Sequence, residues 1–125
     1  MKKKSANSET ETLVAEIIKG LEEKKGKNIV SLDLREINNS VTDFFVICGG
    51  DSNTHVNSLA GSVEVEVQKV LNDKPWHVEG TSNGEWVLMD YVNVVVHIFQ
   101  RQHREHYNIE GLWADAVVKE HEELA

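Results

Sequence analysis

Leu13, Val14, Ile17, Ile18 and Leu21 place an apolar face at helical spacing near the start of the chain. Ser8 followed by Glu11 has the form of a capping box, and Lys24, Lys25 and Gly26 suit a helix C-terminus. The pattern predicts a first helix over about 9–25, with residues 1–7 loose. Val30, Leu32 and Leu34 then alternate with polar residues, which predicts a half-buried strand over 29–34. A polar connection through Asn38, Asn39 and Ser40 leads to Phe44–Cys48, continuously apolar as in a central strand covered on both faces, which Gly49 and Gly50 would end. Asp51, Ser52 and Asn53 are all candidate N-caps for a second helix. Val63, Val65 and Val67 alternate with Glu64 and Glu66 as in an exposed strand. The wider series Val56, Leu59, Ala60, Val63, Val67, Val70 and Leu71 keeps helical period and predicts a helix over about 53–72, ended by Asn72-Asp73-Lys74-Pro75.

Three short strands come next. Trp76–Glu79 precedes the turn signal Thr81-Ser82-Asn83-Gly84. Trp86–Tyr91 and Asn93–Phe99 are nearly contiguous and predict a hairpin turning at Val92 and Asn93, although valine is a poor turn residue wherever φ must be positive. A short helix is predicted over 101–107. Asn108 is set to cap a last helical segment carrying Ile109, Leu112, Trp113, Ala116 and Val117, before an acidic, frayed tail from Lys119 to Ala125. The predicted fold class is α/β: a mixed five-stranded sheet with flanking helices.

Charge changes this picture most. Thirteen Lys and Arg against twenty-one Asp and Glu in 125 residues give a net charge of −8. Nucleic-acid binding draws its affinity from cationic side chains that release counterions. The chain would repel phosphate over most of its surface, and a role near RNA implies docking on a basic protein or through a local patch. One cysteine, Cys48, can form no internal disulfide and cannot head a zinc site of the cysteine-pair type. Basic residues at the N-terminus are followed by no apolar run, and Glu9 and Glu11 come early for an organellar presequence. No apolar stretch approaches the roughly 20 residues that span a bilayer. The expectation is a soluble cytoplasmic protein without a membrane partner.

Candidate chemistry is sparse. Gly49-Gly50-Asp51-Ser52 sits where a strand becomes a helix, and backbone N–H groups there could hold a phosphate. Phosphoryl transfer would also need two or three carboxylates around a metal. The neighbouring strand Val94-Val95-Val96-His97-Ile98 has none, so a tight turn with a helix cap is the favoured reading. His103 and His106 could share a helix face, but no cysteine or third histidine lies at ligand spacing, so no metal is expected. His97 and Cys48 read as structural, and Asp43 as a carboxylate bonding nearby backbone. On the hairpin's first strand, Trp86, Leu88 and Asp90 share one face, and Val87, Met89 and Tyr91 the other. Val87 and Met89 suit the core. That leaves Trp86 and Leu88, with Asp90 beside them, as candidate interface anchors unless helices cover that face too.

Several segments together carry a family resemblance: Thr42-Asp43-Phe44-Phe45-Val46-Ile47 with Gly49 and Ser52, then Val78-Glu79-Gly80 and Trp86-Val87-Leu88-Met89-Asp90-Tyr91. Val94-Val95-Val96-His97-Ile98-Phe99 and Arg104-Glu105-His106-Tyr107 with Leu112-Trp113 complete the set. In order and spacing they resemble the ribosomal silencing factor family, also called Iojap-like, over about Leu13 to Val118. The resemblance implies one domain at 8–118 between a flexible N-terminus (1–7) and a flexible acidic tail (119–125). It also implies a nucleotidyltransferase-like fold with no catalytic residues and no cofactor or metal. Family members bind large-subunit ribosomal protein fourteen where the small subunit docks, which stops the subunits joining when nutrients run short. Organellar relatives act in assembly of the large subunit.

Carried over residue by residue, the resemblance makes Trp86, Leu88, Asp90, Tyr91, Val92 and Asn93 the surface for a basic ribosomal protein, with little direct nucleic-acid contact. One departure stands out: Val92-Asn93 replaces the family's usual Gly-Asp. Three alternatives stay open: a phosphoryl-transfer enzyme around Gly49-Gly50-Asp51, a large-subunit assembly factor, and a homodimer using the Trp86 face as its self-interface.

Overall fold

A computed structural model describes residues 2–37, 40–113 and 116–121. The elements run α1 (Lys2–Glu23), β1 (Lys27–Asp33), β2 (Phe44–Gly50), α2 (Asn53–Leu71), β3 (His77–Glu79), β4 (Trp86–Asp90), β5 (Val94–Gln100), α3 (Arg101–Tyr107), α4 (Ile109–Leu112) and β6 (Val117–His121). The strands form one sheet in the order β3-β4-β5-β2-β1-β6. β2 and β5 are parallel at the centre, and every other pairing is antiparallel. The mixed α/β class read from the sequence is the one observed, with six strands in place of five.

The two faces of the sheet are covered unequally. One carries the main core, where Ile17 and Leu21 of α1 and Val56, Leu59, Val63 and Val67 of α2 bury against Val46, Val87, Met89, Val96 and Ile98. The other carries a smaller cluster, Val30, Leu32, Leu34, Phe45, Ile47, Val95 and Phe99, overlaid by Trp86, Leu88, Ile109 and Trp113, which are themselves only partly buried. A two-layer core on one side and short helices on the other explain why β2 and β5 are buried almost throughout while β4 alternates.

Several boundaries differ from the sequence pattern for identifiable reasons. α1 begins at Lys2, so the Ser8–Glu11 capping box does not start it. No glycine or proline interrupts residues 2–8, and the Glu11 carboxylate instead meets Arg35 Nη1 at 3.1 Å. Gly49 and Gly50 continue β2 rather than ending it, paired with Phe99 and Gln100. Glycine is needed at 50, where a Cβ would lie 2.8 Å from Val56 Cγ2. Of the three candidate caps, Ser52 is the one used, its Oγ accepting from His55 N at 3.1 Å.

The largest correction is at the C-terminus. The last helix ends at Leu112, and Val117–His121 is a strand on the edge of β1, pairing Val118 with Leu32 and Lys119 with Ser31. It satisfies a row of backbone groups that would otherwise stand open along β1. Ser31 Oγ and His121 Nε2, 3.1 Å apart, fasten it. Its first four side chains are all exposed, so no alternation marked it. The remainder of the expected tail, residues 122–125, lies outside the described residues, as do Asn38 and Asn39 of the predicted connection. No helix among the described residues is long and apolar enough to cross a membrane.

Candidate docking hairpin

β4 and β5 pair in register from Trp86↔Phe99 to Asp90↔Val95, which fixes the side-chain faces. Val87 and Met89 are fully buried on the α1–α2 side, as their apolar character predicts. Trp86, Leu88 and Asp90 point to the opposite face and are half-buried. Neither sequence-level alternative describes them completely: short helices reach this face but do not close it.

Trp86 is held firmly. Its indole Nε1–H donates to His97 Nδ1 at 3.1 Å. Its ring stacks on Phe99 at 5.1 Å between centroids, and α3 brings Tyr107 to 4.4 Å. His97 sits directly across from Leu88 and is 4% exposed. Because Nδ1 accepts, the imidazole proton lies on Nε2, which finds no partner. Burial pushes the His97 pKa down to about 4, so the ring is neutral. His97 is structural, as the sequence suggested, and it lies on one of the two central strands. Tyr107 was missed as a cover for Trp86, since nothing in the polar run 101–107 places its ring over the sheet.

The turn is the unusual part. Val92 has φ of +75°, and Asn93 N–H donates back to Tyr91 O at 2.9 Å. A three-residue turn of that hand is the rare, strained kind, and a β-branched residue suits it badly. The surroundings hold it in place. Val92 N–H donates to Asp90 Oδ1 at 2.7 Å, and Val92 O accepts from Thr42 Oγ1 at 2.9 Å. Asn93 O accepts from the backbone N–H groups of Asp43 and Phe44 at 3.0 and 3.2 Å. Strain of this kind persists only where contacts over-determine it. Asp43 thus contributes here through its backbone N–H, where the sequence pattern suggested a carboxylate bond.

A glycine at 92 would relieve roughly 1–3 kcal/mol of backbone strain and give back about 1 in unfolded-chain entropy. Val92→Gly is therefore expected to stabilise the fold by about 1 kcal/mol in denaturant titration. A neutral or destabilising result would contradict the strain assignment.

The predicted partner-binding residues divide across this hairpin. Trp86, Leu88 and Asp90 share one face, Val92 and Asn93 are exposed at the tip, and Tyr91 is buried against the main core at 6% exposure. The alternative phosphate turn is differently occupied. Asp51 N–H donates to His55 Nδ1 at 2.9 Å, and Asp51 Oδ1 accepts from Arg101 at 3.1 Å. A cavity of about 870 Å³ adjoins it, but Arg104 there is committed to Glu110 at 2.9 and 3.1 Å and to Asn28 O at 2.7 Å. His103 lies 3.8 Å from Glu85, and the His106 ring packs against Tyr107, so the two histidines do not converge. Among the described residues, no group of three His, Cys, Asp or Glu side chains could hold a metal ion.

The domain is thus mixed α/β, with one well-packed face, one thinly covered aromatic face and a cross-bonded turn at the hairpin tip. Comparison with known proteins gives the family. The model for "Ribosomal silencing factor during starvation" matches residues 7–125. A ribosomal silencing factor from Chromobacterium violaceum is 41% identical over 96 residues, 77% of each chain. A crystal structure from the same organism superposes with a TM-score of 0.79 at 36% identity, covering 83% of this chain and 85% of the other. A mouse protein named for mitochondrial assembly of the ribosomal large subunit is 32% identical over 75 residues, 58% of this chain and 32% of that one. The chain belongs to the ribosomal silencing factor family, as its motifs suggested, and relatives carry regulatory names.

Proposed function

We propose that this protein represses translation by binding the large ribosomal subunit through large-subunit ribosomal protein fourteen, so that its body blocks the small subunit. The observation that carries the reading is the face made by Trp86, Leu88 and Asp90. It is aromatic at one end and acidic at the other, half-open to solvent, and continuous with the exposed tip residues Val92 and Asn93. Such a face offers a basic protein both an apolar anchor and charge complementarity. The net charge of −8 disfavours placements on bare phosphate. The action needs occupancy alone and no chemical step.

Leu88→Lys tests the site. The long side chain can carry its charge out to water, so the fold survives while a cation now faces a basic partner. Co-sedimentation with isolated large subunits is expected to weaken at least tenfold, about 1.4 kcal/mol. Full-strength binding by the folded variant would remove the hairpin as the site. The name of the mouse relative supports a second reading, an assembly role on the same subunit. Binding to immature large-subunit particles in preference to mature ones would favour it.

A further inference from the structure

Three exposed apolar residues meet at one end of the sheet, where the β4–β5 turn joins two other segments. Val41 is 80% exposed, Trp76 79% and Val92 60%. They come from separate parts of the chain, and hydrogen bonds bring their backbones together. Trp76 N–H donates to Asp90 O at 2.7 Å. Val92 N–H donates to Asp90 Oδ1, and Thr42, next to Val41, donates its hydroxyl to Val92 O. Exposed apolar residues scattered singly are ordinary, but three on one rim of the sheet are a patch.

The middle residue of the three is also costly to the fold. Val92 holds φ at +75°, where a β-branched side chain is strained. The bonds that fix it to Asp90 and Thr42 are made by its backbone N–H and C=O, so a glycine would keep both without the strain. Its exposed isopropyl group gives the core little in return. Backbone outliers of this kind mark functional sites. Charge then selects the partner. Asp43, Asp73 and Asp90 flank the three residues against one nearby cation in sequence, Lys74. Arg35, further back in the connection before β2, is taken up by Asp33 and Glu11. A second copy would bring a net charge of −8 towards its like, and an anionic membrane would be repelled in the same way. A basic protein is attracted.

We infer that Val41, Val92 and Trp76 form a second, apolar contact for the same basic ribosomal protein that docks on the hairpin. The inference rests on the ribosome-binding reading and deepens it with two residues outside the hairpin, Val41 and Trp76. Asp90 joins the two contacts. Its side chain lies on the Leu88 face, and its carboxylate and carbonyl oxygens hold Val92 and Trp76. One partner surface can therefore run from Leu88 past Asp90 onto the end of the sheet. The strained turn then has a use: it holds an apolar side chain out in solvent at the centre of this patch.

The test pairs denaturant unfolding with co-sedimentation of the full chain on isolated bacterial large subunits, for wild type, Val92→Gly, Val92→Asn, Trp76→Ser and Leu88→Lys. Val92→Gly is expected to be more stable than wild type and yet to bind about tenfold more weakly. A residue with a structural role alone would not move the two readouts in opposite directions. Val92→Asn accepts positive φ and replaces the apolar group by a polar one, so it is expected to lose the same affinity. Trp76→Ser, at an exposed position, is expected to keep its stability and weaken binding about tenfold. If the Val92 and Trp76 variants bind as wild type while Leu88→Lys fails, the patch is overturned and the hairpin face stands. If every variant binds as wild type, both are overturned. Loss with Val92→Gly but not with Val92→Asn would trace the effect to chain flexibility and overturn the patch. Patch variants that lower the mass of the free protein in light scattering, with subunit binding intact, would make it a self-interface and overturn the assignment to the ribosomal protein.

Discussion

Trp86→Ala is expected to cost about 3 kcal/mol of folding stability, measured by denaturant unfolding at neutral pH. That is the low end for truncating a large aromatic in a core, as suits a half-buried ring. The loss has two parts. The ring stacks on Phe99 and meets Tyr107, so its removal uncovers the smaller apolar cluster. The indole N–H is also the donor that satisfies His97 Nδ1, and its loss strands a second nitrogen of a buried imidazole. Trp86→Phe separates the two. It keeps most of the stacking and removes the donor, and is expected to cost about 1–2 kcal/mol. An alanine variant as stable as wild type would mean that the aromatic group does not hold this face together. Binding losses at Trp86 are therefore read only beside a stability measurement, and the partly buried Leu88, whose side chain makes no hydrogen bond, is the cleaner probe of docking.

The second large effect is acid sensitivity through His97. Its folded pKa of about 4 lies below the ordinary imidazole value of 6.5. Between those values the unfolded chain binds a proton that the folded chain refuses. The contribution to stability is therefore complete above about pH 6.5 and falls away as the pH drops towards 4. Each tenfold difference in proton affinity between the two states is worth about 1.4 kcal/mol, so the loss is on the order of 3 kcal/mol. His121, whose pKa is also lowered, mainly by burial, adds in the same sense as the pH falls below the ordinary imidazole value. Asp33 is held below its ordinary value mainly by its hydrogen bond with Arg35, so its stabilisation is lost only at lower pH. The difference between wild type and His97→Asn isolates the His97 part, since the variant keeps an acceptor for Trp86 without a titrating ring. Stability profiles from pH 7.5 to about 4 are expected to converge or cross on the acid side. Parallel profiles would show that His97 titrates normally.

The sequence carried the central framework because burial there follows from pattern. The helical apolar series of α1 and α2, the continuous run at Phe44–Cys48 and the alternation at Trp86–Asp90 each appear where periodicity placed them. What escaped was decided by tertiary partners. β6 exists because β1 presents an open edge, and its exposed valines carry no period that a single sequence can show. Tyr107 covers Trp86 because β5 feeds directly into α3 at Arg101, a consequence of where the strand ends rather than of any local motif. Valine at the turn is recognisable from the sequence as unsuitable for positive φ. That the chain adopts +75° there regardless depends on Thr42 and Asp90, the first of them fifty positions away in sequence. The candidate contact residues were legible as a segment, and alternation alone divided them between two faces and a tip; that short helices half-cover the Trp86 face while Tyr91 is buried with the main core depended on tertiary packing.

Occupancy of the subunit interface is measured most directly by a joining assay. Isolated large subunits are preincubated with the protein, small subunits are added, and the mixture is resolved by sedimentation. The protein is expected to travel with the large subunit, joined ribosomes to decline as protein is added, and Leu88→Lys to restore joining. Protein bound to joined ribosomes, with the joined fraction unchanged at saturation, would contradict repression by occupancy.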